Sequence, residues 1–111
     1  MPMIKLHASC EVPSELLAEL SRVVAVTVGK PEEYVMVVAA KADVLMSGTA
    51  DAAVYVEVKS IGGLNRVVNH EILIKVCTLL NVHLGIPMDR IYATFSDVPA
   101  DHWGWNGSLF G

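Results

Sequence analysis

The sequence predicts an α+β domain built from two βαβ units in tandem. They form one four-stranded sheet with both helices on one face. Three observations carry this. The first is an internal repeat. Gly29-Lys30-Pro31-Glu32-Glu33-Tyr34-Val35 parallels Gly85-Ile86-Pro87-Met88-Asp89-Arg90-Ile91. In each copy a Gly ends a helix, a Pro stands two residues on and an acid four on, and a β-branched residue six on opens a strand. The second is that each copy follows a strand-like run and a stretch of helical periodicity. The third is composition: hydrophobic residues make up 53% of the 111 and charged residues 18%, in a chain of one domain's length, 1–111. So short a chain cannot hide that much apolar surface in its own core, which points to an oligomer.

Pro2 to Ser9 reads as a strand, with Met3, Ile4 and Leu6 apolar and Lys5 and His7 between them. Ser14 after Pro13, with Glu15 in the first turn, marks a helix start. Leu16, Leu17, Leu20, Val23, Val24 and Thr27 then recur at three- and four-residue spacing, an apolar stripe. Gly29 ends this helix and Pro31 prevents its continuation. Tyr34 to Ala40 is a β-rich apolar run, expected as a central strand. Lys41 to Asp51, with Ser47-Gly48-Thr49, reads as a hairpin or irregular turn. Ala53 to Ile61 alternates Val54, Val56 and Val58 against Tyr55, Glu57 and Lys59, a half-buried strand. Gly62-Gly63 breaks it. A second helix runs from about Asn65 to His83, with Leu73, Val76, Cys77, Leu80 and Leu84 as its stripe, and Gly85 stops it. Arg90 to Ser96 is a further strand. The tail, Asp97 to Gly111, is expected as a loop or short strand anchored by aromatic residues. Right-handed crossovers put both helices on one side of the sheet. The other face then has nothing in this chain to cover it, so other subunits are expected to bury it.

The net charge of −4 argues against nucleic acid or an anionic membrane as the main partner. No uninterrupted apolar run reaches the ~18 residues that span a bilayer, and no basic start precedes an apolar stretch, so no signal peptide is expected. A cytoplasmic location follows as the expectation, with export possible by a route that needs no signal. Cys10 and Cys77 have no partner at CxxC spacing and are expected as buried free thiols. His7, His70, His83 and His102 show no zinc spacing. No metal or cofactor is expected.

Two positions invite chemistry. Pro2 follows the initiator Met. Trimming of Met1 would leave a secondary amine, a base whose pKa burial and a nearby cation would lower toward neutrality. The plain alternative is a Pro that opens an edge strand. Lys30 stands between a helix-capping Gly and a Pro, where most lysines only offset the helix dipole. Gly62-Gly63 could cradle an anion before the second helix, although a plain turn explains it as well. Glu32 and Glu33 are expected to be solvated.

These residues belong to a wider pattern: Met1-Pro2-Met3, Gly29-Lys30-Pro31 with Tyr34-Val35-Met36, Lys59-Ser60-Ile61-Gly62, Ile86-Pro87 with Asp89-Arg90-Ile91-Tyr92, and Gly104-Trp105-Asn106-Gly107-Ser108 with Phe110. In this the chain resembles the macrophage migration inhibitory factor and D-dopachrome tautomerase family of the tautomerase superfamily. The resemblance implies a homotrimer of ferredoxin-like βαβ repeats, its sheets around a central channel and its helices outside. It implies a keto–enol tautomerase of aromatic α-keto acids such as phenylpyruvate. The catalytic base would be Pro2. Lys30 would hold the substrate carboxylate, with the Ile61 N–H as a second contact. Tyr92 and Thr94 would come from the neighbouring subunit, and Met3, Tyr34, Trp105 and Phe110 would form apolar walls. Thr94 stands where the family has Asn. Trp103 replaces a smaller aliphatic residue, and a narrower pocket rim is expected from it. Ala53 and Val56 replace a CxxC pair, so no redox activity carries over. The alternative function is a cytokine-like signalling or binding protein, its trimer read by a receptor. The joint presence of Pro2, Lys30, Tyr92 and Phe110 favours a working site.

Overall fold

The structure is a computed structural model and describes all residues, Met1–Gly111. It contains the expected tandem: β1 (Pro2–Ala8), α1 (Ser14–Val28), β2 (Met36–Lys41), β3 (Val54–Ser60), α2 (Arg66–Leu84) and β4 (Ile91–Asp97). A small hairpin, β5 (Gly104–Trp105) and β6 (Ser108–Leu109), follows. The sheet order is β2-β1-β3-β4. Within each unit the strands run parallel, Met3 opposite Met36 and Val54 opposite Ile91. The two units meet antiparallel through β1 and β3, with Pro2 opposite Ser60.

The repeat is structural as well as textual. Gly29 and Gly85 both cap their helices in the left-handed region, φ 78° and 68°. Pro31 and Pro87 each lead into one 3₁₀ turn, Glu32–Tyr34 and Met88–Arg90. The core lies between the helices and one sheet face. Ile4, Leu6 and Ala8 of β1, with Val54, Val56 and Val58 of β3, pack under Leu16, Leu20 and Val24 of α1 and Ile72, Val76 and Leu80 of α2. Both strands alternate buried with half-buried residues, so the period of two in the sequence is the pleat itself.

Four local expectations need correction. β1 is an interior strand, and Pro2 sits at its first position, where a missing N–H costs little. β2 is an edge strand starting at Met36, because Tyr34 closes the 3₁₀ turn that Pro31 sets up. Ser14 is the first residue of α1 and caps nothing; the Pro13 carbonyl accepts from Leu16 N (3.0 Å) and Leu17 N (3.2 Å). Asn65 is the true side-chain cap, its Oδ1 accepting from Val68 N at 2.9 Å. On α2 the buried stripe includes Ile72, with Leu73 and Leu84 only packed against its margin.

By length and mean hydropathy alone α2 could cross a membrane. Arg66, His70, Glu71 and Lys75 interrupt it, and Ile72, Val76, Cys77 and Leu80 are buried against the sheet. It is a core helix. Cys77 is buried and Cys10 half-buried, both free. Burial pushes the Cys77 thiol up, away from the reactive thiolate.

The sheet face without helices is not uniformly apolar. Met36, Val38 and Ala40 line its β2 edge, but Lys5, His7, Glu57 and Lys59 occupy the middle. The longest apolar row on this face lies along the open edge of β2, where Met36 is 58% exposed. An unpaired apolar edge of this kind seeks another chain.

The connection between β2 and β3 turns at Ser47 and Gly48, both with positive φ (53° and 75°). Arg90 holds it. Its guanidinium donates to the carbonyls of Met46 (2.6 Å), Asp51 (2.8 Å), Thr49 (3.2 Å) and Ala52 (3.4 Å). A planar fork can serve several carbonyls at once; a lysine ammonium cannot. Arg90→Ala is expected to cost about 2 kcal/mol in denaturant unfolding and to speed hydrogen exchange across residues 46–52. Arg90→Lys should recover less than half of the loss.

Candidate active site

Four distant parts of the chain meet at the end of the sheet where β1 begins and β3 ends. An apolar cleft of about 490 Å³ lies there, lined by Met1, Lys30, Pro31, Tyr34, Ile61, Ala100, Trp105 and Phe110. Each wall has a local cause. Gly29 turns α1 off in the left-handed region, and Lys30 N then donates back to Ala25 O at 3.0 Å, which fixes Lys30 at the cleft edge. The 3₁₀ turn after Pro31 presents Tyr34, 43% exposed. Ile61 follows directly on β3.

Gly63 keeps this corner open. Its φ is +80°, and a Cβ there would lie 2.9 Å from Val28 Cγ1 and 3.8 Å from Lys30 Cε. Glycine at this position makes room for the Val28 side chain of α1, while the Lys30 stem lies at ordinary contact distance. Gly62-Gly63 is thus the plain turn that its alternative reading expected, and α2 starts only at Arg66.

The far wall comes from the tail. Asn106 and Gly107 have φ 51° and 79°, the two-residue turn that Asn-Gly prefers. The hairpin brings the Trp105 ring onto Phe110, with centroids 6.3 Å apart and planes 14° apart. Phe110 N donates to Trp103 O at 3.1 Å and closes the tail. Trp103 does not line the cleft, so it narrows no rim; its backbone holds the hairpin.

Met1, which carries the chain's amine, lines this cleft. The amine's pKa is held below the ordinary value, first by burial and second by the Lys30 ammonium. With Met1 in place Pro2 is fully buried beneath it, its ring on the core side of β1. Met3 is half-buried on the opposite, helix-free face and is not among the lining residues, because successive side chains of a strand alternate. Tyr92 and Thr94 lie on β4, outside this chain's own cleft, and both are exposed, Tyr92 at 68%. Ala100 and Pro31 line the cleft without having been expected there. Ala100 reaches it through a 3₁₀ turn after Pro99 that carries no sequence periodicity.

A larger depression, about 760 Å³, runs along the start of α2 and is lined by Arg66, Asn69, His70, Glu71 and Phe95 among others. It is more polar and shares no lining residue with the cleft that holds Met1 and Lys30. No cluster of three His, Cys, Asp or Glu residues is close enough to hold a metal ion.

Known proteins match this chain in sequence and in fold. The family model described as macrophage migration inhibitory factor (MIF) matches residues 1–111. Macrophage migration inhibitory factor of Rattus norvegicus is 36% identical over 99% of both chains. The homolog of Brugia malayi is 37% identical over 90% of this chain and 88% of its own. Among solved structures, the crystal structure of a macrophage migration inhibitory factor homologue from Prochlorococcus marinus superposes with a TM-score of 0.92 at 45% identity, over 98% of this chain and 99% of that one. A likeness of sequence and fold that runs from end to end leaves one assignment: this chain belongs to the macrophage migration inhibitory factor family.

Proposed function

We propose that the protein is a keto–enol tautomerase of aromatic α-keto acids of the phenylpyruvate type, working as a homotrimer with Pro2 as its base. One observation carries this: the N-terminal amine, Lys30 and a stacked aromatic pair from the far end of the chain line a single apolar cleft. An amine, an ammonium and two rings are the parts that a planar aromatic keto acid requires.

Removal of Met1 turns the buried Pro2 nitrogen into a secondary amine facing that cleft. Burial and the Lys30 ammonium lower the pKa of the Met1 amine, and the same two causes would act on a Pro2 amine one residue further in. Both causes favour the neutral amine, the form that can take a proton from the carbon beside the substrate carbonyl. The electron pair left behind moves into the enol system. The protonated Pro2 then gives that proton to the carbonyl oxygen at the other end of the system, which yields the enol product and regenerates the neutral base. Lys30 binds the substrate carboxylate and the Ile61 N–H supplies a second contact. Tyr34, Trp105 and Phe110 exclude water and favour a flat ring.

Tyr92 and Thr94 enter the site from a neighbouring subunit. The exposed apolar edge of β2 and the uncovered sheet face support assembly, and so does membership of the family. Light scattering is expected to give a trimer. On that material, with its N-terminus verified, phenylpyruvate should tautomerise faster than keto acids lacking a ring. A clean monomer, or no turnover of any enolisable keto acid, would sink the reading.

A further inference from the structure

Tyr55 belongs to neither the motifs nor the cleft, yet its hydroxyl lies 3.0 Å from the Thr94 hydroxyl. The two residues are diagonal neighbours on the helix-free face: Tyr55 stands opposite Tyr92 and Thr94 opposite Glu57 in the β3–β4 register. On its other side Tyr55 stands opposite His7. The two rings stack with centroids 6.5 Å apart and planes 9° apart. The phenol is thus held from β1 while it touches β4.

We infer that Tyr55 is a positioning residue that orients the Thr94 hydroxyl as a donor to the substrate's oxygen atoms in the neighbouring subunit's cleft. The inference rests on the trimeric tautomerase reading and goes beyond it. A threonine hydroxyl rotates freely and has one proton. Either hydroxyl could donate in this bond; a phenol is the stronger donor of the two, and we take Tyr55 as donor and Thr94 as acceptor. That bond occupies a Thr94 lone pair and leaves its proton to point outward. A free threonine would spread that proton over several directions, whereas this one presents a fixed donor. Thr94 is exposed, so a substrate carboxylate or carbonyl can reach it. The pair does with two side chains what one carboxamide N–H would do alone: it offers a donor of set direction. Thr94 needs Tyr55 for that purpose, and an Asn in its place would not.

The test is a mutant cycle with phenylpyruvate, on trimers confirmed by light scattering and with Met1 shown by mass spectrometry to be absent. Tyr55→Phe keeps the ring and its stack on His7 but removes the hydroxyl. It is expected to raise KM about three- to tenfold, the worth of one net hydrogen bond, with kcat within about twofold. Thr94→Ala should do the same, and the double variant should be no worse than either single one, because the two act as a unit. Thr94→Asn in the Tyr55→Phe background should restore KM, since a carboxamide needs no phenol to orient it. A merely structural Tyr55 would not be rescued in this way. Unchanged KM in Tyr55→Phe, or fully additive single effects, overturns the role of Tyr55 while leaving the tautomerase reading intact. Absence of turnover in the unmodified protein overturns that reading, and the role of Tyr55 falls with it.

Discussion

Protein that keeps Met1 is expected to lose phenylpyruvate tautomerisation by at least about 10²-fold, the lower range for removing a positioned base. The reason is chemical and steric at once. In the Met1 form the Pro2 nitrogen is an amide without a basic lone pair, and Pro2 is fully buried. The free amine then belongs to Met1, whose residue also stands in the cleft. Trimming therefore does two things: it creates the base and it clears the substrate's place. Paired preparations, one processed and one with Met1 confirmed by mass spectrometry, differ in nothing else. Equal activity in the two would remove Pro2 from the mechanism. Pro2→Gly gives a smaller but still large loss. A glycine amine remains a base, but without the ring its direction is no longer set, and the packing of a buried side chain is gone. Trimer content by light scattering separates loss of chemistry from loss of fold.

The tandem architecture was legible because its signals are local. A Gly at each helix end, a Pro two residues on and a period of two in Val54, Val56 and Val58 are all read within a few residues. The same holds for Lys30, whose place follows from the cap at Gly29. What escaped depends on neighbours distant in the chain. That β2 is an edge strand is decided by which strands flank β1, and nothing within Met36–Lys41 encodes it. The polar middle of the uncovered face emerges only when Lys5 is set opposite Glu57 and Met3 opposite Lys59. The Tyr55–Thr94 contact spans 39 residues and the Arg90 clamp up to 44. Ser14 misled for a different reason. The helix does start at Ser14, but Pro13, with extended backbone, takes the cap position and offers its carbonyl to the first turn, so the helix starts one residue earlier than a Ser cap would place it. The Asn106-Gly107 turn was readable and went unread, because the strands it joins are only two residues long.

Lys30→Ala is the second large effect, and it should appear in two places. Loss of a charged partner for the substrate carboxylate removes a hydrogen bond worth about 1.5–3 kcal/mol, a rise in KM of roughly 10- to 100-fold. The second effect is on pH dependence. The active base is the neutral amine. Lys30 disfavours the amine's charged form, so the cation lowers the amine's pKa after burial has already done so. Without Lys30 that pKa rises part of the way back, since burial remains. The acid limb of kcat/KM then moves to higher pH, and the variant loses most at the acid end of the profile. Lys30→Arg separates the two roles. Arginine keeps the charge, so the limb should stay where it is, while KM recovers only as far as the bulkier guanidinium finds the carboxylate. A neutral analogue of the substrate, such as the corresponding ester, should show the pH shift in Lys30→Ala without the rise in KM. If both acid and ester lose equally, Lys30 supports the corner beside Gly63 and does not bind the carboxylate.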